Sequence, residues 1–256
     1  MHFKLEYRYT IFTMIYTIEN YPIQVKVDSL GAQLCSIKNL ETNVEYIYQK
    51  NPDEWNWYAP IMFPQCGAFP EGYEYQGQNY KLPQHGFLRD QEFTFKNNSF
   101  YFESTEENYA IYPFRFKAVI SFIIRGKSVK QQVKLVNLDE KAMPYSIGFH
   151  TGYNLSNPTM TSSLGKIKFT EEYLSDIKRY FEPVPKKLYL EDDKVKLSIN
   201  TGDYTTLLIW SHPKGKDHMV CVEPRVDTDK ANNGYPFRNT LDSKKTKFFS
   251  QTITLL

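Results

Sequence analysis

Apolar and polar side chains alternate with a period of two along several segments of this 256-residue chain. The alternating segments begin at Ile23, Phe116, Val129, Val195 and Phe249. This period is typical of β-strands that bury one face and expose the other, because successive side chains of a strand point to opposite sides. The pattern therefore predicts an all-β chain.

Short turn sequences separate the alternating segments. Arg125-Gly126-Lys127 lies between two of them, and Asn97-Asn98 lies between Phe95 and Phe100. Both turns are typical of β-hairpins. Closely spaced strands joined in this way indicate a large antiparallel β-sandwich. We find no internal repeat and no linker rich in Gly or Ser, so we predict a single domain over residues 1–256.

Helical signals are scarce in the sequence. Thr170 is predicted to cap a short helix that ends before Pro183. The apolar face of this predicted helix consists of Tyr173, Leu174, Ile177 and Phe181.

Charge and cysteine content exclude several classes of protein. Lys and Arg number 31 against 29 Asp and Glu, and no basic run is longer than three residues, so we expect no nucleic-acid partner. No apolar run reaches the roughly 18 residues typical of a membrane span, so we expect no membrane partner. Three cysteines without a CxxC pair favour neither a disulfide framework nor a zinc site, and we predict a cytoplasmic protein.

Three segments carry polar residues in unusual surroundings. His85 follows a Pro-Gln pair and precedes Gly86, and His150 lies between two glycines. Glu223 follows an apolar segment that Pro224 is expected to stop, and a buried carboxylate is costly unless it is paired or used. A histidine beside a glycine is more often structural, and Glu223 could equally form a salt bridge. Spacing alone does not show that the three segments converge.

Four stretches of the sequence, in their order and spacing, resemble the aldose 1-epimerase (galactose mutarotase) family, in its branch of compact bacterial members. The resemblance extends from about Met14 to the C-terminal strand. It is carried by GAQLCSIKN at 31–39, by the block at 57–90 that ends in HGFLRD, by YPFRF with VNLDEKAMPYSIGFH at 112–116 and 136–150, and by LIWSHPKGKDHMVCVEP at 208–224.

The resemblance implies a galactose mutarotase-like β-sandwich that acts on a small-molecule sugar without a metal or cofactor. It makes Glu223 the general base that takes the proton from the C1 hydroxyl. His150 would be the general acid that protonates the ring oxygen, and His85 would hydrogen-bond the sugar and help position that oxygen. The ring would open, the C1–C2 bond would turn, and the ring would close on the other face of C1.

The sequence departs from the family pattern at positions expected near the sugar. Ala68 stands where many members have an Arg, and Arg89 would either replace that contact or be a structural partner of Asp90. Thr151-Gly152-Tyr153 replaces the more common Pro-Ala-Phe, which predicts a reshaped pocket. Arg225 replaces a frequent aromatic residue, and it would either pair with Glu223 or meet an anionic sugar. His85, Arg89, Trp210 and Arg225 are therefore the candidate substrate-binding residues, and Trp55 and Trp57 are further candidates for lining the site.

Two other functions remain open at this point. A hexose-6-phosphate 1-epimerase would need several basic side chains converging on the phosphate. A non-catalytic carbohydrate-binding or sensing protein would not require an acid and a base together. Residues 1–13 are expected to be either an N-terminal extension or a misassigned start, and the protein is expected to be a monomer or a homodimer. The sequence does not indicate which sugar is bound.

Overall fold

The computed structural model of the chain describes residues 14–174, 179–226 and 235–256. Our expectation about residues 1–13 therefore lies outside the described residues. Within them the strands are β1 (Ile15–Asn20), β2 (Ile23–Asp28), β3 (Gln33–Asn39), β4 (Ile61–Met62), β5 (Tyr73–Tyr75), β6 (Gln78–Tyr80), β7 (Thr94–Lys96), β8 (Ser99–Glu103), β9 (Phe116–Arg125), β10 (Ser128–Asn137), β11 (Met143–Tyr145), β12 (Ile147–Phe149), β13 (Thr151–Asn154), β14 (Thr159–Ser162), β15 (Gly165–Lys168), β16 (Arg179–Phe181), β17 (Lys187–Glu191), β18 (Lys196–Asn200), β19 (Thr206–Trp210), β20 (Met219–Val226), β21 (Asn239–Leu241) and β22 (Thr246–Leu255).

Two antiparallel sheets dominate the described part of the chain. The larger has nine strands in the order β15-β14-β17-β18-β22-β10-β9-β8-β7. The smaller has six, in the order β16-β19-β20-β12-β4, with β13 also paired to β20. A three-stranded sheet β1-β2-β3 and the two-stranded pairs β5-β6 and β11-β21 complete the described strands. The predicted all-β antiparallel architecture is confirmed.

The two large sheets face each other across a common core. Gln251 on β22 donates a hydrogen bond to the hydroxyl of Thr151 on β13, at 2.8 Å. Phe116 on β9 packs edge-on against Phe63, which follows β4, with ring centroids 4.8 Å apart. The alternating residues of β9, β10 and β22 point into this space, as the sequence predicts, and bury apolar area that drives folding.

The two predicted hairpins are present. Asn97 and Asn98 join β7 to β8 with φ of 51° and 56°, the backbone conformation that a tight two-residue hairpin turn requires. Gly126 has a φ of 55° between β9 and β10.

The helices differ from the prediction. The predicted helix at Thr170 is correct in its cap, because the N–H of Tyr173 donates to the Thr170 hydroxyl at 3.1 Å. The described helix α2 (Glu171–Leu174) is a single turn, and Phe181 lies in β16 opposite Leu207, not on a helix face. Ile177 lies outside the described residues. Pairing of β16 with β19 has overridden the local helical pattern.

One helix was not predicted. Helix α1 (Glu106–Ile111) begins at Thr105, whose hydroxyl accepts from the backbone of Asn108 while the Asn108 side chain accepts from the backbone of Thr105. This reciprocal cap satisfies two backbone N–H groups that a helix leaves without partners. The helix has six residues, too few for its apolar periodicity to be recognised in the sequence. A single 3₁₀ turn at Leu88–Asp90 follows the segment that carries His85.

The expected end of the strand at Pro224 is wrong, because β20 continues to Val226. The carbonyl of Arg225 accepts a hydrogen bond from Thr205 on the β19 side, at 2.9 Å. Neighbouring residues of a strand direct their backbone groups to opposite sides. The nitrogen of Pro224 therefore faces away from β19, toward the side of β12 and β13. There β20 changes partner from β13 to β12. The missing N–H of a proline is tolerated at such a break in the ladder.

Candidate active site

The pairing of β20 with β12 and β13 brings His150 and Glu223 together. Thr151 lies opposite Val222, and Gly148 lies opposite Arg225. Both pairs belong to one continuous register, which sets His150 directly across from Glu223. Side chains opposite each other on antiparallel strands share a face and lie in contact. Accordingly, His150 Nε2 is 3.3 Å from Glu223 Oε1.

His150 immediately precedes β13, and the alternation of side chains there directs it away from the core. Thr151 points between the sheets and binds Gln251. Its neighbour His150 therefore points to the opposite side of the smaller sheet. Glu223 lies on this same side, and its side chain is 1% exposed against 7% for His150. An ionisable pair so deeply buried requires partners on the protein or a ligand.

His85 reaches the same place from a loop. Its backbone is left-handed, with a φ of 66°, and Gly86 after it allows the chain to pass close to Phe63. A Cβ at Gly86 would lie 2.1 Å from the Phe63 carbonyl oxygen, so only glycine fits. The His85 ring then lies 5.3 Å from that of His150, edge to face. The three polar segments of the sequence thus meet at one site.

Hydrogen bonds fix the orientation of the His85 ring. Its backbone N–H donates to the Gly67 carbonyl at 2.8 Å, and the Gly67 N–H donates to His85 Nδ1 at 3.0 Å. Burial first, and the neighbouring His150 second, lower the pKa of His85 to about 2. The imidazole is therefore neutral near pH 7, and because Nδ1 accepts, the ring proton is on Nε2. The amide nitrogen of Gln84 lies 3.3 Å from this Nε2, so a hydrogen bond from the protonated Nε2 requires the Gln84 amide to turn its oxygen to the ring.

Arg225 binds Glu223 directly. The two residues are two positions apart on β20 and therefore on the same face, and Arg225 Nη2 donates to Glu223 Oε2 at 2.5 Å. Of the two roles left open for Arg225, the pairing with Glu223 is present. Gly148 makes it possible, because a Cβ there would lie 2.9 Å from Arg225 Cγ. The Arg225 side chain passes over this glycine and reaches Glu223 on its own strand.

Two tryptophans contact the His150 ring, and Trp55 stacks on its face. The centroids of the Trp55 and His150 rings are 4.9 Å apart and their planes are 26° apart. Trp210 meets the His150 ring edge to face at 5.8 Å. Trp57 carries the guanidinium of Arg89 over its ring at 4.5 Å, and Arg89 also donates to the Gln84 carbonyl at 3.0 Å. Burial lowers the pKa of Arg89, and Asp90 partly opposes this effect.

These side chains enclose a cavity of about 290 Å³. It is lined by Trp55, Trp57, Gln84, His85, Arg89, His150, Leu208, Trp210, Glu223 and Arg225. All eight residues that the sequence marks as catalytic, substrate-binding or lining candidates are among them. Ala68 is exposed and does not line the cavity. Gln84 and Leu208 were not singled out from the sequence. Leu208 lies opposite Glu223 on β19, a position that only strand register reveals.

In the described part of the chain, no group of three or more His, Cys, Asp and Glu side chains could hold a metal ion. Among the same residues, no helix is long and apolar enough to cross a membrane.

Solved structures with the same architecture come from several bacteria. A galactose mutarotase related enzyme from Lactobacillus acidophilus is 25% identical with a TM-score of 0.86, and the match covers 95% of this chain and 97% of that one. A galactose mutarotase-like protein from Lactobacillus casei is 22% identical with a TM-score of 0.88, covering 95% and 100%. These likenesses support the galactose mutarotase-like fold.

Sequence comparison gives the family. The chromosomal protein LacX of Lactococcus lactis is 34% identical over 153 residues, which are 55% of this chain and 51% of LacX. The chain thus spans about half the length of the curated relatives it matches. The model of the family described as aldose 1-epimerase matches residues 14–186, which is more than half of the chain. The chain therefore belongs to the aldose 1-epimerase family.

Proposed function

We propose that the protein is an aldose 1-epimerase that interconverts the α and β anomers of a free sugar. The observation that carries the proposal is the 3.3 Å contact between His150 Nε2 and Glu223 Oε1 inside the cavity. Opening a cyclic hemiacetal requires removal of a proton from the C1 hydroxyl and addition of a proton to the ring oxygen. Both oxygens are bonded to C1, so the acid and the base must be close neighbours.

In the proposed reaction Glu223 takes the proton from the C1 hydroxyl while His150 gives one to the ring oxygen. The C1–O bond of the ring breaks and C1 becomes an aldehyde. After rotation about C1–C2, the two residues exchange roles and close the ring on the other face. Positioned acid and base groups each contribute on the order of 10²–10⁴ to the rate. His85 Nε2–H supports the ring oxygen as a hydrogen-bond donor throughout.

The cavity suits a single sugar unit. Its volume of about 290 Å³ is at the lower end of the range for small-molecule sites. The rings of Trp55, Trp57 and Trp210 offer flat apolar faces to the C–H groups of a pyranose. Hydrogen-bonding groups from Gln84, Arg89 and the two histidines surround them. Glycoside hydrolysis usually requires a second carboxylate, and Glu223 is the one carboxylate among the described residues that line the cavity.

The alternative substrate, a hexose 6-phosphate, has less support. Replacing the hydration of a phosphate requires several charge-assisted hydrogen bonds. Of the two arginines that line the cavity in the described part of the chain, Arg225 is bound to Glu223. A protein that only bound sugar would not require a base in contact with an acid. The neighbouring positions of His150 and Glu223 therefore favour turnover over binding alone.

The test is polarimetry of freshly dissolved α-D-glucose and α-D-galactose at low buffer concentration. We expect the protein to accelerate the change in optical rotation and Glu223→Gln to lose at least about 10²-fold of this acceleration, because the amide cannot accept the proton. Glu106→Gln, an exposed glutamate paired with Arg115, is the matched control and should retain full activity. Circular dichroism would show that both variants fold.

Full activity in Glu223→Gln would contradict the assignment of the base. If neither sugar responds, glucose 6-phosphate and other aldoses are tested in the same assay. Acceleration of glucose 6-phosphate alone would favour the alternative substrate. No acceleration with any aldose, together with sugar binding by calorimetry, would support the non-catalytic function.

The state of the three cysteines bears on where the protein acts. Cys35, Cys66 and Cys221 are buried and form no disulfide, which suits a reducing cytoplasm. We infer a cytoplasmic protein whose partner is a small-molecule sugar, acting as a monomer or homodimer without a cofactor, nucleic acid or membrane. Cell fractionation and sedimentation would test the location and the oligomeric state.

A further inference from the structure

We propose that Arg225 is a positioning residue for the catalytic base, and not a ligand of the sugar. In this role its guanidinium holds the Glu223 carboxylate by Oε2, so that Oε1 remains turned to His150 and to the C1 hydroxyl. The inference rests on the proposed function for its kinetic part. Its structural part, the control of the Glu223 side-chain conformation by Arg225, can be tested without activity.

The two oxygens of Glu223 have different partners in the structure. Oε2 accepts from Arg225 Nη2 at 2.5 Å, and Oε1 lies 3.3 Å from His150 Nε2. A carboxylate without the first contact could rotate about its side-chain bonds and exchange or lose the second. The contact with Arg225 therefore selects one orientation of the base.

Burial gives this contact its strength. The side chains of Arg225 and Glu223 are 2% and 1% exposed. Charge-assisted hydrogen bonds between buried groups are shorter and stronger than neutral ones, and the planar guanidinium loses little conformational freedom when it forms them. A surface ion pair, by contrast, would be too weak to hold a side chain in place.

The backbone around the pair is shaped to accept an arginine. Arg225 lies opposite Gly148 on β12 and opposite Thr206 on β19. A Cβ at Gly148 would lie 2.9 Å from Arg225 Cγ and 2.7 Å from Met62 Cε. The glycine thus leaves the passage by which the Arg225 side chain runs along the sheet to Glu223. This route brings the guanidinium to the carboxylate.

The first experiment compares Arg225→Lys and Arg225→Met with wild type in kcat and KM for the aldose that the protein turns over. We expect kcat to fall about 10²-fold in Arg225→Met, the effect of a misplaced catalytic group, with KM little changed. Arg225→Lys should lose less, since it keeps the charge without the planar fork. Arg89→Met is the control from the same cavity, because Arg89 contacts Trp57 and Gln84 and not Glu223. It should change KM more than kcat.

The second experiment is chemical rescue. Methylguanidinium added to Arg225→Ala should restore part of kcat, because it can occupy the space of the missing side chain and bind Oε2. Sodium chloride at equal ionic strength should not restore it, and methylguanidinium should not restore Arg89→Ala. Thermal unfolding shows which variants are folded, and if Arg225→Ala is not, the kinetic comparison of Arg225→Lys with wild type decides the inference.

The opposite results would overturn the inference. An increase of KM with kcat preserved in the Arg225 variants would mean that Arg225 binds the sugar. Wild-type kcat, or no rescue of folded Arg225→Ala, would remove the positioning role. If the wild type acts on no aldose, the proposed function fails, and a crystal structure of Arg225→Lys or Arg225→Met decides the inference alone. A Glu223 carboxylate turned away from His150 supports it, and an unchanged carboxylate overturns it.

Discussion

The ring of Trp55 occupies the space that a side chain at Gly152 would fill. A Cβ built on Gly152 would lie 2.7 Å from Trp55 Cζ3 and 3.1 Å from the Tyr58 carbonyl oxygen. Gly152 is two residues after His150 and on the same face of the strand. The glycine therefore allows Trp55 to stack on His150. Where the family commonly has Pro-Ala-Phe after the histidine, this chain has a glycine in the place of the alanine, and the tryptophan accounts for the change.

We expect Gly152→Ala to destabilise the protein by about 1–3 kcal/mol, because an added methyl group must displace a ring or a carbonyl in a packed region. Mutarotation should fall with it as Trp55 leaves His150. Gly215→Ala is the matched control, since the nearest atom to its added Cβ is 3.4 Å away, an ordinary contact. Urea unfolding and polarimetry measure the two effects. Equal stability and activity in Gly152→Ala and Gly215→Ala would refute the dependence of Trp55 on Gly152.

Acid stability should report the buried neutral imidazole of His85. Burial lowers the pKa of His85 to about 2, whereas the unfolded chain has the usual value near 6.5. Between these values the unfolded state binds the proton and the folded state does not, so stability is lost as pH falls below about 6.5. The loss is on the order of 1.4 kcal/mol per pH unit.

His85→Asn removes this titration. When the pH falls from 7.5 to 5.5, the free energy of unfolding of wild type should decrease by about 1.4 kcal/mol more than that of the variant. Urea unfolding at a series of pH values measures the difference. Parallel curves for the two proteins over this range would show that His85 is not held neutral.

The fold was predictable where the alternation is long. The segments at Phe116, Val129 and Phe249 became β9, β10 and β22, because a strand with one buried face must repeat every two residues. The local helical pattern after Thr170 failed at Phe181, where pairing with Leu207 in the smaller sheet decided the conformation. Pro224 failed as a stop signal for a similar reason, since the neighbouring strands change at that residue.

The polar residues and the tryptophans of the candidate site were predictable from the sequence, and Gln84 and Leu208 were not. His85, His150 and Glu223 are marked in the sequence by their glycine and proline neighbours and by the resemblance. The contact of His150 with Glu223 depends on strand register between distant segments, and His85 is placed by a loop bonded to Phe63 and Gly67, which no local pattern contains. The stacking of Trp55 had one indirect signal, the glycine at 152. The sequence left open whether Arg225 pairs with Glu223 or meets an anionic sugar, and only the side-chain geometry shows the pairing with Glu223.

A second ionic network ties the segment that carries Trp55 to the connection between β19 and β20. His218 lies between two carboxylates, with Nδ1 2.6 Å from Asp217 Oδ1 and Nε2 3.0 Å from Glu54 Oε2. Tyr48 donates to the same Glu54 oxygen at 2.8 Å. Partial burial lowers the pKa of His218, but the hydrogen bonds to Asp217 and Glu54 outweigh it, and the pKa is raised. The hydrogen bond from Tyr48, followed by those from His218, lowers the pKa of Glu54.

The raised pKa of His218 predicts a contribution to stability that is complete below pH 6.5 and is lost as pH rises through the folded-state value. The Glu54 contribution is present above its ordinary pKa and is lost as pH falls through the lowered one. We expect His218→Gln to cost about 0.5–1 kcal/mol near pH 6, a small figure because His218 is partly exposed, and less near pH 9. Thermal unfolding measures this difference.

Lys186→Gln, which breaks an exposed ion pair without a histidine, should have an effect that does not change over this range. A cost of His218→Gln that is constant from pH 6 to pH 9 would contradict the network.

The two roles proposed for the His85 ring, as partner of Gly67 and as donor to the sugar, should separate in two substitutions. Asn offers an oxygen where Nδ1 accepts from Gly67, and it tolerates the left-handed backbone at φ 66°, but it has no group at the position of Nε2. Gln reaches the position of Nε2 with an N–H donor and leaves the Gly67 N–H without its partner. We therefore expect His85→Asn to keep its stability at pH 7 while KM rises and kcat falls, because the sugar loses a donor. His85→Gln should lose about 1–3 kcal/mol of stability, the cost of a buried N–H without a partner, and retain more of the activity.

Polarimetric kinetics with urea unfolding measure both quantities. If His85→Gln is the more stable and the less active of the two, Nε2 is not the donor to the sugar and the assigned tautomer is wrong.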